Sequence, residues 1–175
     1  KWATLDLEQA NKLLDDMGLD KKDGQGYRLR TDNGERLRFE MVTVGGQYVT
    51  YTQVGEMIKQ QWIEIGIDVN ITEMERNLAF GKDANDENQM LTWANDGSEM
   101  LYLFARHALP VDPAECHMGM AFAKWYASNG EQGTQPDDPE MLRAFDLYRE
   151  AFGLDDAGQV ENAKEIWKII VDQQF

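Results

Sequence analysis

The stretch QQWIEIGIDVNITEME, residues 60–75, constrains the fold of this chain more than any other. Upstream of its single glycine, Tyr51, Val54, Met57, Ile58, Trp62 and Ile65 recur at helical spacing, with Glu56, Lys59, Gln60 and Glu64 on the other face. Downstream, Ile67, Val69 and Ile71 alternate with Asp68, Asn70 and Thr72, which is the period of a strand. Gly66 stands where the period changes, and a residue without a Cβ can take the left-handed conformation that ends a helix. A strand pattern over 37–44 precedes the helix. Strand, helix and strand in that order make a βαβ unit, expected to have parallel strands and a right-handed crossover. The fold class read from this unit is α/β.

The flanking sequence extends the pattern. A helix is expected over 6–17, with Asp6 as cap, Gln9 completing a capping box, and Gly18 as its stop. Leu7, Ala10, Leu14 and Met17 would form its apolar face. Tyr27 to Arg30 and the 37–44 strand can pair as a hairpin across Asp32-Asn33-Gly34. A short helix over 76–85 and a third strand over 88–94 follow. Residues 95–118 hold two prolines and many apolar residues without a clear period, and read as a structured excursion with a turn or two of helix. Helices are then expected over 122–128, 139–152 and 158–174, the last burying Val160, Ala163, Ile166, Trp167 and Ile170. Asp138 and Pro139 mark the start of the second of these. At 175 residues, a single domain over 1–175 is the expectation.

Charge excludes some partners. The 32 acidic against 17 basic side chains give a net charge of -15, which repels phosphate backbones and anionic membrane surfaces alike, so nucleic acid is not expected as a partner. No apolar run approaches the roughly 20 residues that span a bilayer. A single cysteine, Cys116, permits no internal disulfide and fits either the cytoplasm or an exported protein that does without them. The chain starts at Lys1 and stops at Phe175 inside a helical pattern, so a piece of a longer protein is expected.

A search for chemistry finds little. His107, Cys116 and His117 match no zinc spacing, and no third group marks a Cys-His nucleophile, so no metal is expected. The acid-and-glycine run 20–26 fails as a calcium loop: with Gly24 in the glycine place, Leu19 and Lys21 fall on ligand positions. Gly24-Gln25-Gly26 precedes no helix, and Gly45-Gly46 lacks the Lys-Ser/Thr of a phosphate loop, so no cofactor is expected. Glu73 with Glu75, or Asp96 with Glu99, could form an acid-base pair, though a solvated face explains them as well. Trp93 ends the third strand and leads into Asn95, Asp96 and Gly97. Ligands of open α/β sheets sit beyond the carboxyl ends of the strands. Trp93 is therefore read as an apolar stacking face, Asn95 and Asp96 as hydrogen-bonding contacts, and Gly97 as a point of close approach. A core tryptophan is the competing reading of Trp93, and Trp125 and Tyr126 share that ambiguity.

Four segments together resemble the extracytoplasmic solute-binding proteins of peptide-type ABC transporters, family 5. They are LEQANKLLDDMGLDKKDGQGYRLRTDNGERLRFEM, VGEMIKQQWIEIGIDVNITEME, NQMLTWANDG, and FAKWYASNGEQGTQPDDPEM with the helix pair after it. The resemblance implies a lobe of a periplasmic-binding-protein-like (type II) fold with a helical C-terminal part. The chain would be most of the second large lobe of a two-lobed protein that closes on its ligand by a hinge motion. That protein would be periplasmic or extracellular, or lipid-anchored outside the membrane. It would hand its ligand, most often an oligopeptide and in some members an oligosaccharide, to a membrane permease, and catalyse nothing. The sequence departs from the family's peptide binders where WANDGSEMLYLFARHALPVDP brings Asp112-Pro113 late. No residue here inherits the family's charged clamp for a peptide terminus, and sugars stay open. A hydrolase using a carboxylate pair in the same cleft is the rival class, and a helix-surfaced interaction module the third.

Overall fold

The computed structural model describes residues 4–94, 100–114 and 116–175. The chain divides into two compact units, Lys1–Gly81 with Asn88–Trp93, and Lys82–Glu87 with Ala94–Phe175.

The first unit carries the sheet. Its strands β1 (Arg38–Val44), β2 (Asp68–Met74) and β3 (Met90–Thr92) run parallel in the order β2-β1-β3. Register pairs Arg38 with Asp68 through Val44 with Met74, and Met41 with Met90 through Thr43 with Thr92. The central strand is buried on both faces from Met41 to Val44, as a parallel sheet with a covered face requires. Helix α1 (Leu7–Asp16) precedes the sheet, α2 (Tyr51–Ile63) connects β1 to β2, and α3 (Arg76–Ala84) leaves β2.

The Gly66 joint forms as its sequence dictates. Gly66 has φ +83°, its N–H donates to Ile63 O, and the Ile67 N–H donates to Trp62 O, both at 3.0 Å. These two bonds make a Schellman stop, and β2 begins at once. Gly18 ends α1 in the same way, with Leu19 N–H on Leu14 O at 3.0 Å. Gly66 has a second reason to be glycine: a Cβ there would stand 2.9 Å from Gly26 O and 3.0 Å from Arg28 Cγ.

Arg28 is 1% exposed and fastens this corner. Its Nε donates to Ile65 O at 2.7 Å, its Nη1 to Leu19 O and to the Asp15 carboxylate, and its Nη2 to Asn11 Oδ1 at 2.7 Å. One guanidinium thus supplies donors just past the carbonyl ends of both α1 and α2, where helix dipoles favour a cation. The Tyr27–Arg30 strand expectation reduces here to isolated antiparallel bridges, Lys22 with Arg28 and Leu29 with Arg36. A segment that must bury an arginine between two helix ends pairs only briefly on either side.

Helix faces depart from expectation at several positions. α2 meets the sheet through Tyr51 and Gly55, and a Cβ at Gly55 would stand 3.1 Å from Thr43 Cγ2 and 3.2 Å from Met41 Sδ. Its contact stripe is therefore rotated away from Met57, which is 60% exposed. α1 buries no residue fully; Leu14 packs on the Met41, Ile67 and Val69 cluster while Met17 faces outward.

The second unit has its own core. Leu101, Ala105, Ala108, Leu109 and Val111 pack with Met141, Ala144 and Phe145 of α5 (Pro139–Ala151) and Ile166, Ile169 and Ile170 of α6 (Asp156–Gln173). The described part of the aperiodic excursion thus contributes to the core, with a 3-10 turn at Ala105–His107. It lacks a period because its apolar residues face one site from an irregular backbone. α4 (Met120–Ala127) sets Trp125 and Tyr126, both half-buried, against Phe145. Asp138 and Asp155 cap α5 and α6. Val160 is exposed on α6, because the stripe that meets α5 is centred on Ile166 and Ile169.

Candidate functional site

The carboxyl ends of three parallel strands form one edge of the first unit, and each strand delivers a different chemistry to it. β1 continues into Gly45, whose N–H donates to Met74 O at 2.9 Å and so extends the ladder by one bond. The loop then turns at Gly46 and presents Tyr48, which is fully exposed, and Val49 before α2 begins. The side-chain amide of Gln47 folds back onto Gly45 O at 3.4 Å. An exposed tyrosine on the strand-to-helix loop of the central strand is a candidate contact that the sequence reading missed. The signal was present: an aromatic two residues after a Gly-Gly pair, at a strand end.

β2 ends in Glu73 and Glu75, which the sequence offers as an acid-base pair, and the structure occupies both. Thr52 of α2 donates its hydroxyl to Glu73, and Thr52 in turn contacts the buried Thr43 at 2.9 Å, so one polar chain crosses β1, α2 and β2. The Glu73 carboxylate lies against the Gly45 backbone, where a Cβ would be 2.8 Å from its Oε1. Glu75 accepts from Asn77 N at 2.8 Å and Leu78 N at 3.3 Å, which caps α3. Each carboxylate serves its own local structure. Asp96 and Glu99, the other pair, lie outside the described residues.

Trp93 follows β3 and is half-buried. Its ring lies 5.5 Å from Tyr51 at 35° and meets Phe80 of α3 edge-on at 5.0 Å. The Arg76 guanidinium sits 5.2 Å from both the Phe80 and the Trp93 ring centres. Trp93 also packs beside Val42, Val44, Tyr51 and Ala79. It therefore closes the sheet's core at this end and forms part of an aromatic group with a cation above it. Asn95, Asp96 and Gly97 lie outside the described residues.

The soft ligands fall in the second unit and are separately engaged. His117 Nδ1 is 2.7 Å from Asp83 Oδ2, and Arg106 Nε donates to His107 Nε2 at 3.2 Å. Cys116 is buried beside Met120 and Ala123, and burial pushes its thiol up to about 11. Among the described residues no group of three or more His, Cys, Asp or Glu could hold a metal ion. In the Gly24 region, Asp23 Oδ1 accepts from Gln25 N at 2.8 Å and Tyr27 N at 3.0 Å, an ordinary aspartate turn.

Three solved structures are similar in fold. An oligopeptide-binding protein OppA matches at 27% identity with a TM-score of 0.76, covering 94% of this chain and 28% of the other. The periplasmic binding protein MelB of Agrobacterium fabrum C58, in complex with stachyose, matches at 20% identity and TM-score 0.77, covering 97% and 25%. A mannohexaose-bound periplasmic oligopeptide-binding protein of Thermotoga maritima matches at 17% and 0.66, covering 95% and 29%. The chain thus spans about a quarter of the length of the structures it matches. Among curated proteins no match was found. The α/β parallel sheet with helices C-terminal to it is that of these periplasmic binding proteins. The family description "Bacterial extracellular solute-binding proteins, family 5 Middle" matches residues 1–113, and with that span covered the chain belongs to this family.

Proposed function

We propose that this chain is a ligand-binding lobe of an ABC transporter's solute-binding protein, which captures oligopeptides outside the membrane and delivers them to a permease. The observation that carries this reading is the family match over residues 1–113, joined by 27% identity to an oligopeptide-binding protein over 94% of the chain. The two units would act together as one lobe of a longer, two-lobed protein. No described helix is long and apolar enough to cross a membrane. The protein would work in the periplasm or outside the cell, free or at a lipid anchor.

The ligand would lie along the strand ends, with Trp93 and Tyr48 as contacts and Asn95, Asp96 and Gly97 next along the chain. In this family's fold a neighbour is bound to stachyose, so an oligosaccharide is the second ligand class to test. The experiment is native mass spectrometry of the full-length protein, purified gently from its host. A ladder of co-purifying peptide masses is the expected result. A discrete oligosaccharide mass would keep the transport role and change the ligand. Turnover of a bound substrate would refute the binding-protein reading. Within the same protein, Trp93→Ala is expected to weaken binding at least tenfold, from about 1.5 kcal/mol or more of lost aromatic contact. Unchanged affinity would remove Trp93 from the site.

A further inference from the structure

Arg76 is held by two aromatic rings where six other arginines of the chain are held by acids. It opens α3 directly after β2, and Phe80 stands one turn later on the same helix face. Trp93 comes in from β3 and meets Phe80 edge-on, so the two rings form a corner. The guanidinium lies 5.2 Å from each ring centre, within the range of a cation–π contact.

Among the described residues no carboxylate pairs with it. Arg28, Arg30, Arg36, Arg38, Arg143 and Arg149 each have a carboxylate within 4.0 Å. Among the described residues Arg76 has none, although the chain carries 32 acids and a net charge of -15. Local structure does not explain it either. A cation in the first turn of a helix opposes the helix dipole, and the free N–H groups of that turn are already capped by Glu75. Arg76 is exposed, its donors are unused by described residues, and it stands at the same strand-end edge as Trp93.

We propose that Arg76 recognises a carboxylate of the ligand, for a peptide the C-terminal one, with Phe80 and Trp93 as the platform that fixes the guanidinium. A guanidinium presents paired N–H donors in the plane that a carboxylate accepts, and stacking on rings orients it before the ligand arrives. A neutral oligosaccharide offers hydroxyls only and forgoes that charge-assisted pair. The inference rests on the reading that the strand ends hold the ligand, and it names the chemistry that selects the ligand there.

The test is equilibrium dialysis of the full-length protein against a defined pool of tri- to pentapeptides with uncharged side chains. Each peptide is supplied as the free acid and as the C-terminal amide, beside a pool of neutral oligosaccharides, and what is retained is identified by mass. The expected result is retention of free acids about tenfold over amides, the size of one charge-assisted hydrogen-bonded contact at an open site. Arg76→Met should abolish the preference while leaving the melting curve unchanged, and Arg76→Lys should restore part of it. Equal retention of acids and amides by the unaltered protein would overturn the inference while peptide binding stood. Retention of the oligosaccharides alone, or of no probe, would overturn the inference together with the peptide reading.

Discussion

Arg28→Met tests whether one buried guanidinium holds the corner at which α1 and α2 end. Methionine fills a comparable volume and keeps the apolar stem, so the change removes donors rather than packing. The structure assigns the losses. Ile65 O and Leu19 O lose their donor in a part-buried corner, and Asn11 loses a partner at 2.7 Å. An orphaned buried acceptor costs about 1–3 kcal/mol, so two part-buried carbonyls at the low end of that range imply a loss of about 2 kcal/mol. Asp15 adds little, because its side chain is 52% exposed and water replaces the arginine. Against a typical total of about 5–15 kcal/mol, that is a large share of stability. Arg28→Lys should fall between, since one ammonium cannot reach both helix ends at once. The assay is urea unfolding of the 175-residue chain followed by tryptophan fluorescence, with the slope against urea checked for constancy. A loss under about 1 kcal/mol for Arg28→Met would refute the reasoning, because the carbonyls would then be finding water and the guanidinium would not be holding the corner.

Further expectations follow from single sites. Gly66→Ala combines a left-handed backbone at φ +83° with a Cβ 2.9 Å from Gly26 O, and should cost about 2–3 kcal/mol in the same assay; a neutral result would show that the 26–28 segment moves away freely. At low pH, burial raises the Asp23 carboxyl, but Gln25 and Tyr27 N–H groups and Arg36 outweigh it and hold it below the usual range. Arg30 holds Asp32 low as well. Their folded values lie below the unfolded ones, so their stabilisation is complete above about pH 4 and is lost as pH falls further. An Asp23→Asn, Asp32→Asn double variant should flatten that acid limb, and an unchanged limb would exclude these two groups as its source. The Cys116 thiol, pushed up to about 11, stays protonated and buried at pH 8. Its alkylation by iodoacetamide should then track urea unfolding, and fast labelling of the native chain would contradict the burial.

Sequence by itself determined what is decided within one turn of chain. The Gly66 stop, the Gly18 stop, the aspartate caps before α1, α5 and α6, and the strand spacing around α2 all follow from residues whose partners lie within about five positions. Those features placed the βαβ unit and, through it, the edge at which a ligand is sought. The four segments that resemble the solute-binding family are built from the same local features, which is why order and spacing alone were enough to find it.

Tertiary structure decided whatever depends on which surface a residue meets. β3 spans Met90–Thr92 and not 88–94, because strand hydrogen bonds exist only where β1 offers a partner, and Asn88 is turned to donate to Ala79 O. Gly55 became the contact of α2 with the sheet because the helix sits too close for a Cβ, a distance that no periodicity encodes. Glu73 and Glu75 looked alike in sequence and differ in fact, one held by Thr52 across the sheet and one capping α3. Arg76 was one basic residue among 17 until Phe80 and Trp93, from different elements, were brought beneath it with no carboxylate of the described residues paired to it. Local propensity sets where the chain turns; only the folded arrangement sets which groups each charge meets.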